Sequence, residues 1–130
     1  MISSLHVATG AVAGAMAGSR VRAAALAPLL HFALDVVPHE DIPSHRFELA
    51  TAGGALAALA LERGPLDSAT LGALLSAAPD LEHLRRFPRP GGRKLFPSHW
   101  FPARHRGRRV PVWAQLATAA VLLALVLRRS

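Results

Sequence analysis

The sequence predicts an all-α protein: a compact, membrane-associated bundle of about five helices in a single domain (1–130), with a long basic loop before the last helix. Three observations carry that expectation. Apolar segments rich in Ala and Leu recur along the chain, parted by Pro, Gly or charge; none shows the apolar–polar alternation of a half-buried strand. Hydrophobic residues make up 52% of the 130 residues, above the roughly 45–50% usual in soluble domains. The surplus is aliphatic, with no Tyr and two Trp, so a core must be built from small side chains, which suit close helix packing in lipid.

The first helix is expected over 5–19, before Arg20 and Arg22. Gly10, Gly14 and Gly18 fall four apart on one of its faces, a spacing that lets a second backbone come close. The second, 23–37, is stopped by Pro38, which cannot continue a helix. The third, 47–61, runs into the turn signal Glu62, Arg63, Gly64, Pro65. Asp67 or Ser68 can cap the fourth, 68–84. The fifth, 110–127, is 18 uncharged residues closed by Arg128 and Arg129. It alone meets the length of a spanning helix, roughly 18 or more apolar residues. Between the fourth and fifth, 85–109 holds nine basic residues and four prolines, with Phe87, Phe96, Trp100 and Phe101 interleaved. No apolar period survives there, and it reads as a loop over the bundle end.

The formal charge of +7 implies an anionic partner: lipid headgroups, a phosphorylated substrate or, less readily, nucleic acid. The absence of cysteine excludes a disulfide framework and a thiolate metal site, so a metal would be held by nitrogen and oxygen. The first residues lack the basic n-region of a secretory signal.

Chemistry concentrates in a few polar residues. His31 and Asp35, spaced i, i+4, share one helix face, as do Asp80 and His83 at i, i+3. A buried carboxylate is costly unless paired or bound to a cation. Two acid–imidazole pairs are therefore ligand-compatible with a divalent ion such as zinc or manganese. If the helices alternate in direction, the start of the first and the ends of the second and fourth share one side. His6, His31, His39 and His83 then meet the loop residues His99 and His105, while His45 reads as surface. The expected ligands are His31, Asp35 and Asp80, with His6, His83 and His99 as further candidates. His39, Asp41 and Glu82 are candidate general acids or bases, and Arg85, Arg86, Arg104 and His105 candidate contacts to a substrate phosphate. The plainer reading of each pair is a hydrogen bond that ties two helices together.

At these residues the sequence resembles a known family. His31, Asp35, Pro38, His39 and Asp41 fall in an H-x-x-x-D-x-x-P-H-x-D stretch similar to one in small bacterial membrane proteins described as metal-dependent hydrolases. Pro79, Asp80, Leu81, Glu82 and His83 resemble the P-D-[IL]-[DE]-H element of the inner-membrane-associated hydrolase family. The segments around His99 and His105 resemble its His-rich part more weakly. The resemblance implies a helical bundle distantly similar to zinc-dependent phospholipase C, with metal-ligand roles for His31, Asp35 and Asp80, and His6 as a candidate. It also implies hydrolysis of a phosphodiester or ester at the bacterial inner membrane. The site side would carry ten Lys/Arg and the opposite side five, which puts the site in the cytoplasm. An alternative from another class is a non-enzymatic membrane protein whose 85–109 loop binds anionic lipid or nucleic acid. Its aromatics permit base stacking and equally suit a membrane interface.

Overall fold

The computed structural model describes residues 1–83, 88, 90–100 and 109–128. Among them the chain forms five α-helices: α1 Ser3–Ala17, α2 Arg20–Val36, α3 His45–Arg63, α4 Ser68–Ala77 and α5 Val112–Leu127. No strand occurs among the described residues; an isolated bridge joins His39 to Val110. The all-helical bundle expected from the sequence is therefore present. Its association with a membrane gains no support, because no helix among the described residues is long and apolar enough to cross one. The fifth helix has 16 residues instead of 18. Pro111 precedes it in extended conformation, and Val110 is drawn into the bridge by bonds to Pro38 and Glu40.

The other boundaries differ for local reasons. The first turn of α1 begins two residues early because distant groups satisfy its orphan donors. The Ile2 N–H donates to Gln115 Oε1 at 3.1 Å, and the Ser3 N–H to Glu48 Oε1 at 3.0 Å. Ser19 caps α2, its hydroxyl accepting from the Arg22 N–H. The helix ends before Pro38 with Val37 extended, the conformation a residue before proline prefers. Ser44 caps α3 in the same way. The predicted fourth helix divides at Pro79: α4 stops at Ala77 and a 3-10 turn covers Ala78–His83. Proline cannot supply the α-helical N–H, and the chain tightens. The basic loop is not wholly irregular, since Pro90–Gly92 and Pro97–Trp100 form short 3-10 turns.

α1 is the central helix and α4 lies against it. A Cβ on Gly10 would stand 2.6 Å from Ser76 Cβ, and one on Gly14 would stand 2.9 Å from the Ser68 carbonyl carbon. Gly72 on α4 completes the contact, facing Gly10 and Gly14. Gly18, expected in the same stripe, is instead the left-handed cap of α1, with φ 62°. The core is made of small residues, with Val7, Ala11, Leu59, Ala69, Ala73 and Val126 in one cluster and Ile2, Leu5, Ala8 and Ala119 in another. These contacts set the helices in alternating direction. The N-termini of α1, α3 and α5 and the C-termini of α2 and α4 share one end, where Ser3 meets Glu48, Ile2 meets Gln115 and His6 meets Asp35.

Candidate metal centre

That shared end holds a buried polar cluster. His31, one turn before Asp35 on α2, is fully buried. Its Nδ1 lies 2.7 Å from the Ser76 carbonyl oxygen. A carbonyl only accepts, so Nδ1 carries a proton and Nε2 is the nitrogen turned inward. That Nε2 lies 3.0 Å from Asp35 Oδ2, 3.8 Å from Asp80 Oδ1 and 3.4 Å from His99 Nε2.

His99 is presented in the same manner from the Pro97–Trp100 turn. Its Nδ1 bonds the Glu82 carboxylate, and its Nε2 points inward, 3.2 Å from Asp35 Oδ2 and 3.9 Å from Asp80 Oδ1. His6, from α1, bonds the other Asp35 oxygen at 3.0 Å and stacks on His31 with ring centroids 4.0 Å apart. Ser98 donates to Asp35 Oδ2 at 2.7 Å. The terminal amine of Met1 lies 3.1 Å from Asp35 Oδ1 and against His39 Nε2.

The electrostatics follow from this crowding. Burial raises the Asp35 carboxyl, but hydrogen bonds from His31, His6 and His99 and the nearby terminal amine outweigh it and hold the group well below the usual carboxylate range. Burial lowers His6, which stays neutral despite Asp35. His99 is also lowered by burial, yet its bonds to Asp35 and Glu82 prevail and raise it above its ordinary value. Glu82 is depressed: the His99 bond and the N–H groups of Leu95 and Phe96 overcome its burial.

The donor set fits a divalent ion. Two sets of three residues, His6/His31/Asp35 and His31/Asp80/His99, each offer ligand atoms that lie within 4.8 Å of one another. Four ligands about 2.0–2.1 Å from a tetrahedral centre stand about 3.3 Å apart. The distances from His31 Nε2 and His99 Nε2 to each other, to Asp35 Oδ2 and to Asp80 Oδ1 run from 3.0 to 3.9 Å, with Asp35 and Asp80 in different sets. Two buried atoms at the cluster, Asp80 Oδ2 and His6 Nδ1, have no hydrogen-bond partner among the described residues. Atoms of that kind are costly unless something else binds them.

Five of the six expected ligands, His6, His31, Asp35, Asp80 and His99, thus come together. His83 does not join either set; its ring packs across His99 at 4.3 Å, and burial followed by the charge of His99 lowers it. His39 and Asp41 line the cavity that opens from the cluster, with Nε2 and Oδ1 3.2 Å apart. Glu82, expected as an acid or base, is turned away from that cavity and committed to His99, Leu95 and Phe96. Arg85, Arg86, Arg104 and His105 lie outside the described residues. His45 is exposed, as expected.

Sequence reasoning missed Ser98, Ser76 and Gln115. Gln115 bonds the backbone of Ile2, Glu40 and Val110 and so locks the 37–44 connection over the site. A lone amide in an otherwise apolar segment was its signal. Ser76 contributes a main-chain oxygen, which no side-chain pattern reveals. Comparison with family models, with curated proteins and with solved structures finds no match for this chain.

Proposed function

We propose that the protein is a metal-dependent hydrolase acting on a phosphodiester or ester, with zinc as the ion its mixed imidazole–carboxylate set suits best. One observation carries the reading: two imidazoles, each held through Nδ1 by an acceptor behind it, turn Nε2 toward the same pair of carboxylates. Orientation of metal-binding histidines by a second acceptor is the usual construction of such centres. The bacterial hydrolases that the His31–Asp41 stretch resembles support the same class. His31, Asp35, Asp80 and His99 would hold the ion, which supplies Lewis acidity toward a phosphoryl or carbonyl oxygen.

The chain's own residues supply the rest. Ser76 and Glu82 fix the two imidazoles, and His6 and Ser98 fix Asp35. The Val37 carbonyl accepts from His39 Nδ1 at 2.6 Å, which turns Nε2 toward the Met1 amine and Asp41 at the cavity wall. His39 with Asp41 is then the pair placed to take a proton from the attacking water and return it to the leaving group. Lys94 lines the same cavity and can neutralise an anionic substrate, a role we extend to Arg85, Arg86, Arg104 and His105.

The test is elemental analysis of the purified full-length protein, with hydrolysis of bis-p-nitrophenyl phosphate followed before and after chelation. Wild type is expected to carry stoichiometric zinc and a chelator-sensitive activity that added zinc restores. Asp35→Ala and Asp80→Ala should carry neither. Metal-free wild type, with unchanged stability in His31→Ala, would overturn the proposal.

A further inference from the structure

The cavity beside the cluster is far larger than a metal centre needs. Its volume is about 940 Å³, at the upper end of the roughly 300–1,000 Å³ typical of ligand pockets. One end is polar: Asp35, Asp80, Ser98 and His99 line it with Asp41, His45 and Glu48 at the start of α3, and Lys94 lines the cavity as well. The remainder is apolar. Along α3, Leu49, Ala52, Gly53 and Leu56 line it, spaced as one helix face. Phe32 and Val36 of α2 and Leu74 of α4 close the sides. Phe32, Val36, Leu49 and Leu74 are between 40% and 65% exposed, so large side chains line this space incompletely covered by the described residues. Gly53 keeps it wide, since a Cβ there would meet nothing within 4 Å.

We infer that this groove receives the alkyl chain of a single-chain amphiphile whose phosphodiester or ester head lies at the His/Asp cluster. The inference rests on the hydrolase reading for the head, and on the groove alone for the chain. Head and chain positions share one continuous cavity, which points to one molecule, and the basic Lys94 lines it. From Leu49 to Leu56 the wall runs about 11 Å at ~1.5 Å per residue. That is room for a chain on the order of ten carbons, since ~1.5 Å bonds at tetrahedral angles advance about 1.25 Å each.

The test measures displacement of dansyl-undecanoic acid from the full-length protein by n-alkyl phosphates of rising length, with zinc added and again with chelator. Affinity should climb about fourfold per methylene and level off once the groove is full, with the same slope in both conditions. Gly53→Phe should bring the plateau to shorter chains, and Gly53→Leu less so. Gly54→Phe, one residue round the helix on an open surface, should leave the series unchanged. Affinity independent of chain length in wild type, or equal effects of the position 53 and position 54 variants, would overturn the inference. The two readings fail separately. A length-dependent series in a protein that binds no zinc and cleaves nothing removes the hydrolase and supports the groove. Zinc-dependent cleavage with no length dependence removes the groove and leaves the hydrolase.

Discussion

Asp35 holds different partners on its two oxygens. Oδ1 takes His6 and the terminal amine, while Oδ2 takes His31, His99 and Ser98. Removing one member of a buried charged network leaves the others uncompensated, so Asp35→Ala should lower unfolding stability by about 3–5 kcal/mol, read from urea denaturation. Glu82 acts one step further out. It touches His99 and not the cavity, so Glu82→Gln should weaken zinc affinity about 10–100-fold while the helical content stays that of wild type. An affinity equal to wild type in a competition titration would show that His99 is not held by Glu82. At this scale the sequence was informative about residue type. The i, i+4 and i, i+3 spacings named His31, Asp35 and Asp80 because helical periodicity is a local rule. It could not separate Glu82 from Asp41 by role, since which carboxylate faces the cavity depends on the turn that Pro79 imposes and on where the 97–100 segment returns.

Among the elements, α1 and α4 show how backbone approach sets the sign of a substitution. Alanine normally gains about 1 kcal/mol over glycine in a helix. At Gly14 the new methyl would meet the Ser68 carbonyl carbon at 2.9 Å and Ala69 Cα at 3.0 Å, both backbone atoms that cannot swing aside. Gly14→Ala should therefore destabilise, by about 1–3 kcal/mol of overpacking. Gly54→Ala, where nothing stands within 4 Å, should stabilise by about 1 kcal/mol. Thermal melts of the two variants check the contrast; equal shifts would mean that α1 and α4 do not meet at the glycines. At the far end of the bundle Asp67 caps α4, accepting from the Ala69 N–H and from Arg63, both at 2.9 Å. Partial burial works to raise its carboxyl, and these two bonds outweigh it and depress it. A depressed carboxyl contributes stability above its unfolded value of about 3.9 and loses it as the pH falls through the lower folded value. Asp67→Ala should cost about 1 kcal/mol at neutral pH, and its deficit relative to wild type should shrink below about pH 4. The sequence offered Asp67 or Ser68 as this cap, of which Asp67 serves, and it placed Gly10 and Gly14 on the packing stripe. It gave Gly18 the wrong duty, because four-residue spacing does not reveal that the helix ends one residue earlier.

For the whole molecule, the proposed ligands come from α2, the 78–83 turn and the 97–100 turn, so binding an ion would tie together three separate parts of the chain. Anything that binds the folded state alone stabilises it by mass action, by about 2.7 kcal/mol at a hundredfold excess over Kd. Zinc should accordingly raise the melting temperature of chelator-treated protein at neutral pH, and Asp80→Ala should abolish the rise. A melting curve indifferent to zinc would remove the centre. The sequence by itself determined the helical class, the number of helices, most of their stops and the chemical character of one end. Period, proline and capping are read from neighbours a few residues away. Only the tertiary structure decided that the last helix is shorter than a bilayer span, that Gln115 and Glu48 complete the start of α1, and that an apolar groove continues from the polar cluster. Those outcomes depend on groups dozens of residues apart meeting in space, and what each then satisfies is a property of the packing rather than of any stretch of sequence.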